Sequence, residues 1–162
     1  MVDAALQKAI DCLKIRDVYL DSSSASLVDA FEPKYDPNLG KLEVQFKHIV
    51  SRSNVLELDE NSKTIKLFRV FVEFGARWVL PGTGHDSVDS PQIKAYIEGV
   101  MVAEYLMQDD PGPDALKQFA MKNASFHIWP YWREYLTAHC QRMNLPKLVM
   151  PAVQFSSNQD SD

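Results

Sequence analysis

Four histidines, two cysteines and one glycine-rich turn are the residues of this 162-residue chain whose types could support catalysis, metal binding or phosphate binding. None sits at a spacing that does. His48, His85, His127 and His139 show no metal-ligand spacing, so a zinc or catalytic metal centre lacks converging ligands. His139 and Cys140 are neighbours that point in different directions on a helix. Cys12 and Cys140 lie far apart and form no Cys-x-x-Cys pair, which argues against a zinc site or a redox motif, and both are expected to be small buried apolar residues. Gly82-Thr83-Gly84 lacks the Lys and Ser/Thr that give a phosphate loop its charge and metal ligand, so the stretch up to Pro91 reads as a hairpin loop. The expectation is a protein that is not an enzyme and needs no cofactor. One reading of another class stays open, an α+β domain enclosing a small ligand near His127 or His139.

The richer chemistry is that of binding. Trp129, Tyr131, Trp132 and Tyr135 crowd one predicted helix, and a segment punctuated by Pro146 and Pro151 runs from Asn144 to Phe155. Neither proline has a backbone N–H, and each pushes its predecessor, Leu145 or Met150, toward extended geometry, so this strap cannot continue the helix and should lie flat on something. Trp132 suits core packing against a sheet. Tyr131 cannot point the same way as all its neighbours. With Phe31, Tyr35 and Phe155 from irregular segments, such flat amphipathic rings could line a groove for varied partners.

The elements that must position these rings read as four strands followed by helices. Residues 3–9 suit a short helix and 10–20 a strand, which Ser22-Ser23-Ser24-Ala25-Ser26 then breaks. A long connection with Pro33, Pro37, Asn38 and Gly40 follows. Leu42, Val44 and Phe46 alternate with Glu43, Gln45 and Lys47 in a half-buried strand at 41–51, and Asp59-Glu60-Asn61-Ser62 marks a turn. A third strand over about 64–80 puts Phe68, Val70, Val72, Phe74, Ala76 and Trp78 on one face, and a fourth over about 92–107 presents Ile93, Ala95, Ile97, Gly99, Met101, Ala103 and Tyr105. Their opposite faces are more apolar than solvent requires, so more protein covers them or they bind something. Helices are expected over 114–122 and 127–143, the second with Pro130 in its first turn and a stripe of Trp132, Tyr135, Leu136, His139 and Met143. The fold class is therefore α+β, a four-stranded antiparallel meander with helices packed on one face and the other face left for partners.

Length and charge bound the rest. A chain of 162 residues fits one domain, taken as 1–155 with a polar disordered tail at 156–162. A net charge of −5 with no basic cluster argues against nucleic-acid binding. The N-terminus has no basic segment before an apolar core, and no apolar run reaches the roughly 18 residues of a membrane helix, so the expectation is a cytoplasmic protein without membrane insertion.

Two motifs together carry a resemblance. Trp129-Pro130-Tyr131-Trp132-Arg133-Glu134 followed by Pro146-Lys147-Leu148-Val149-Met150-Pro151-Ala152-Val153-Gln154-Phe155 resembles the helix start and Pro-bounded strap of SecB-type protein-export chaperones. Asp17 and Asp21 match an acid pair four apart in that family's first strand. Tyr35-Asp36-Pro37 resembles its Trp-x-Pro, Leu67-Phe68-Arg69-Val70 its third strand, and Tyr96-Ile97-Glu98 part of its fourth. The resemblance implies an ATP-independent holdase for unfolded or slow-folding polypeptides, assembled as a homotetramer, a dimer of dimers. It implies client contacts at Phe31, Tyr35, Tyr131, Leu148, Met150 and Phe155, and docking of the translocase motor SecA at Asp17, Asp21 and Glu98. The chain departs from export members after Phe155, where the family continues with a helix, and in its longer loop at 81–91. A dedicated chaperone of one client, such as an antitoxin, is the close variant. An assembly module whose apolar second face is consumed by oligomerisation is a further one.

Overall fold

The computed structural model describes residues 3–82 and 90–151. The order is α1 (Ala4–Cys12), β1 (Leu13–Leu27), a short 3-10 turn (Leu39–Lys41), β2 (Glu43–Glu60), β3 (Lys63–Leu80), β4 (Gln92–Met107), α2 (Pro113–Lys122) and α3 (Ala124–Arg142). The expected α+β class with four antiparallel strands is what the chain adopts. Strands β2, β3 and β4 follow one another as a meander, but β1 lies beside β4, giving the order β1-β4-β3-β2. The long 28–42 connection thus carries the chain from one sheet edge to the other, which makes the topology a Greek key.

Two strands run further than their local composition suggests. The serine run does not end β1: Ser22, Ser23, Ser24 and Ser26 pair with Val100, Gly99, Glu98 and Tyr96. Partners on β4 override the weak strand preference of serine, because sheet propensity chiefly reflects cross-strand packing. β2 likewise continues to Glu60, and the turn shrinks to Asn61 and Ser62, at φ 52° and 63°. Positive φ at both central residues is what a two-residue hairpin needs to match strand twist.

One face of the sheet carries the core. Phe68, Val70, Val72, Phe74, Ala76 and Trp78 from β3 and Ala95, Ile97, Met101, Ala103 and Tyr105 from β4 are all buried with α3's Ile128, Trp132, Leu136 and Cys140. Each large side chain so buried contributes roughly 1.5–3 kcal/mol. Cys140 is core as expected, whereas Cys12 is only half-buried. Phe31, expected at a binding groove, is 6% exposed and belongs to this core. Asp29 and Ala30, at φ 51° and 54°, reverse the chain just before it.

The helix-free face is not a flat apolar surface. Leu67, Phe71 and Val102 are buried there, Phe71 beneath the guanidinium of Arg52 at 3.4 Å and beside that of Arg69 at 5.6 Å. Arg16 of β1 and Glu60 of β2 form an ion pair at 2.9 Å although they sit on opposite edge strands. The long β2–β3 hairpin extends past the end of β4, and this ion pair ties its tip to β1.

Candidate functional site

The site is built on α3. This helix begins at Ala124, three residues earlier than its periodicity indicates, so Pro130 lies inside it rather than in its first turn. Proline there removes one helical hydrogen bond. The buried stripe of α3 compensates: Trp132 stacks on Phe74 at 5.3 Å, and Trp129 packs against the same ring at 6.1 Å. Tyr135 stacks on Trp132 and His139 on Tyr135, the latter at 4.0 Å, which places Tyr135 and His139 at the half-buried margin of the stripe.

The end of α3 aims the strap. Asn144 has φ 54°, Leu145 N–H donates to the Cys140 carbonyl at 3.0 Å, and Asn144 N–H donates to the Gln141 carbonyl at 3.4 Å. These bonds define a Schellman stop, with Leu145 buried against its own helix end. Pro146 then keeps the chain extended, and residues 145–151 return along the flank of α3. The Trp129 indole N–H donates to the Pro151 carbonyl at 2.8 Å and fastens the strap near the start of the helix.

The extended strap alternates. Leu148 and Met150 are half-buried against the core, while Lys147 and Val149 point outward, Val149 at 87% exposure. Between the strap and the outer flank of α3 runs an open trough of about 560 Å³. Tyr131 is 51% and Tyr35 72% exposed, so both are accessible. Tyr131 itself does not line the trough, but Glu134 and Ala138, which do, lie three and seven residues further along its side of α3, so Tyr131 stands at the trough's margin. Of the six residues expected to contact a client, Tyr35, Tyr131, Leu148 and Met150 are thus at or near the surface and Phe31 is not. Phe155 lies outside the described residues.

Sequence reading missed Trp129 as the strap's anchor, Val149 as its most exposed apolar side chain, and Phe46. That phenylalanine has the core-facing register, opposite Ala76, yet is 57% exposed because β2 is an edge strand. Only the Asn-Leu-Pro sequence after α3 hinted at how the strap would leave the helix.

The three acids expected to dock a motor are all exposed but do not form one patch. Asp17 pairs with Glu104 across β1 and β4, and Ser24 pairs with Glu98, so six residues of β4, roughly 20 Å, separate the two ends. Asp21 lies at a bulge between them. Basic side chains interleave: Arg69 neighbours Glu104, and the Lys47 ammonium sits 3.6 Å from Glu98 and 3.9 Å from Glu73. Gly75 lies beneath the pair, where an added Cβ would make ordinary van der Waals contact with Lys47 at 3.4 Å and Glu98 at 3.5 Å. Tyr19 donates to Glu104 at 3.2 Å, and burial raises its phenol above the ordinary range.

Two of the described histidines, His48 and His127, join α3 to the sheet, and His139 bonds within its own helix. His48 Nε2 meets Ser125 Oγ at 2.6 Å, but Ser125 is 3% exposed and out of a substrate's reach. His127 Nδ1 bonds the Tyr105 hydroxyl at 2.8 Å, and His139 Nδ1 bonds the Tyr135 carbonyl at 2.9 Å. Burial lowers the pKa of His48 and His127 and raises that of Tyr105. Among the described residues no group of His, Cys, Asp and Glu could hold a metal ion. His127 and His139, twelve residues apart on one helix, do not converge on a common pocket.

A four-stranded Greek-key sheet with a long aromatic helix and a returning strap is the SecB-like fold. The SecB-like chaperone Rv1957 of Mycobacterium tuberculosis, solved in complex with a ChAD peptide from the Rv1956 HigA1 antitoxin, matches it with a TM-score of 0.64 and 19% sequence identity, over 96% of this chain and 100% of that one. No family model and no curated protein matches the sequence.

Proposed function

We propose that this chain is an ATP-independent chaperone, a holdase that binds an extended apolar segment of an unfolded or slow-folding polypeptide. The observation that carries the reading is the strap: an extended segment fixed at both ends, with Val149 87% exposed between two side chains anchored in the core. An exposed apolar residue on a fixed backbone loses little entropy when a partner covers it, and burial gains about 25 cal/mol per Å². No nucleotide or catalytic group is required. Tyr35 and Tyr131 extend the contact surface, and Leu148 and Met150 form its floor. The test is suppression of aggregation of a denatured, reduced protein. Val149→Asp should weaken client binding about ten-fold without lowering thermal stability; unchanged binding by this variant and by Tyr35→Ser would place the contact elsewhere.

A dedicated client fits better than general export. The acids Asp17, Asp21 and Glu98 are spread over roughly 20 Å and interleaved with Lys47 and Arg69, which is a poor match for a motor that needs one acidic surface. The matched Mycobacterium tuberculosis chaperone holds an antitoxin peptide, and an antitoxin-like segment is the client class proposed here. Both outer strands, β1 and β2, offer free edges for a homo-oligomer, for which a dimer of dimers is proposed. Co-purification of one small partner supports the dedicated reading, and equal binding of many unrelated unfolded chains contradicts it.

A further inference from the structure

The trough between α3 and the strap has a charge that its apolar floor does not require. Leu148, Met150 and Pro130 supply apolar surface, while Arg133 and Lys147 stand over it with a single carboxylate, Glu134. The chain as a whole carries a net charge of −5, yet neither Arg133 nor Lys147 forms an ion pair among the described residues. Arg133 is partly buried beside the groove, where its planar fork is well suited to grip a carboxylate with two parallel bonds.

Resting on the chaperone reading above, we infer that this trough selects extended segments in which a large apolar side chain stands next to an aspartate or glutamate. The apolar side chain covers Leu148 and Met150, and the carboxylate takes Arg133 and Lys147. The charge of the trough is opposite to that of the protein, so it supplies selectivity that an apolar strap alone lacks.

The experiment uses the full chain and three fluorescein-labelled peptides of alternating Leu and Ser that differ only at one central position, Glu, Gln or Lys, read by anisotropy at low and moderate salt. The Glu peptide should bind about five-fold tighter than the Gln peptide, the Lys peptide weakest, with the differences shrinking as salt rises. Arg133→Gln combined with Lys147→Gln should abolish the Glu-to-Gln difference, and Glu134→Gln should widen it. Equal binding of all three peptides, or a difference that survives in the double variant, overturns this inference and leaves the chaperone reading standing. Binding of none overturns it too, and absence of aggregation suppression in the same preparation overturns the chaperone reading as well.

Discussion

Single side chains decide whether the strap stays on the helix. Trp129 is the anchor through its bond to the Pro151 carbonyl, so Trp129→Phe should keep the ring's packing on Phe74 and lose about 1 kcal/mol. Tryptic cleavage after Lys147, inside the strap, should accelerate while amide exchange of β3 stays unchanged. Titration is a second matter for individual residues. His48 and His127 are held below the ordinary histidine value of 6.5 by burial, so the unfolded chain takes up protons first as pH falls. Stability is therefore full above pH 6.5 and declines below it, and His127→Gln should flatten part of that decline in thermal melts. A melting temperature that rises on acidification would contradict this. At this scale much was legible: Trp132 read as core because its neighbours repeat at helical spacing, and Cys140 because a free cysteine outside any motif behaves as a small apolar residue, an expectation that Cys12 meets only halfway. Phe31 did not read as core, because a turn through two positive-φ residues, Asp29 and Ala30, directs it inward, and alanine, unlike aspartate, is not a residue that marks a left-handed turn.

Elements end where backbone geometry permits, and two of those ends make testable statements. Ser62 stands at φ 63° in the β2–β3 turn, where Ser62→Gly should stabilise the protein by about 0.5–1 kcal/mol in denaturant unfolding. Asn144 closes α3 at φ 54°, and Asn144→Ala should cost about 1 kcal/mol and loosen the strap's departure. The extents of β3 and β4 were readable because alternation persists along them. β1 and β2 were read too short, since their continuations depend on pairing with distant residues, and pairing leaves no local mark in Ser22–Ser26. The same holds for the start of α3: Pro130 looks like a first-turn residue, yet Ala124, Ser125 and Ile128 already pack on the sheet and extend the helix before it.

At the scale of the whole molecule, the fold separates two surfaces. The helix-bearing side presents the strap and its trough, and the helix-free side carries mixed charge. Simultaneous Asp17→Lys, Asp21→Lys and Glu98→Lys changes should leave client holding intact, because all three acids are on the sheet and none lines the trough. If the same variant loses binding to SecA in a pull-down, the export reading gains what the spacing of the acids denies it. The strand order was hidden from sequence because a 28–42 connection says that the chain travels far but not to which edge. Whether the protein holds unfolded chains is decided by light scattering of the purified protein with and without a reduced, unfolded client, paired with aggregation suppression. An assembly near four subunits that gains client mass and keeps the client from aggregating is the expected result. A particle whose mass is unchanged by client, in a sample that aggregates as if the protein were absent, would contradict it.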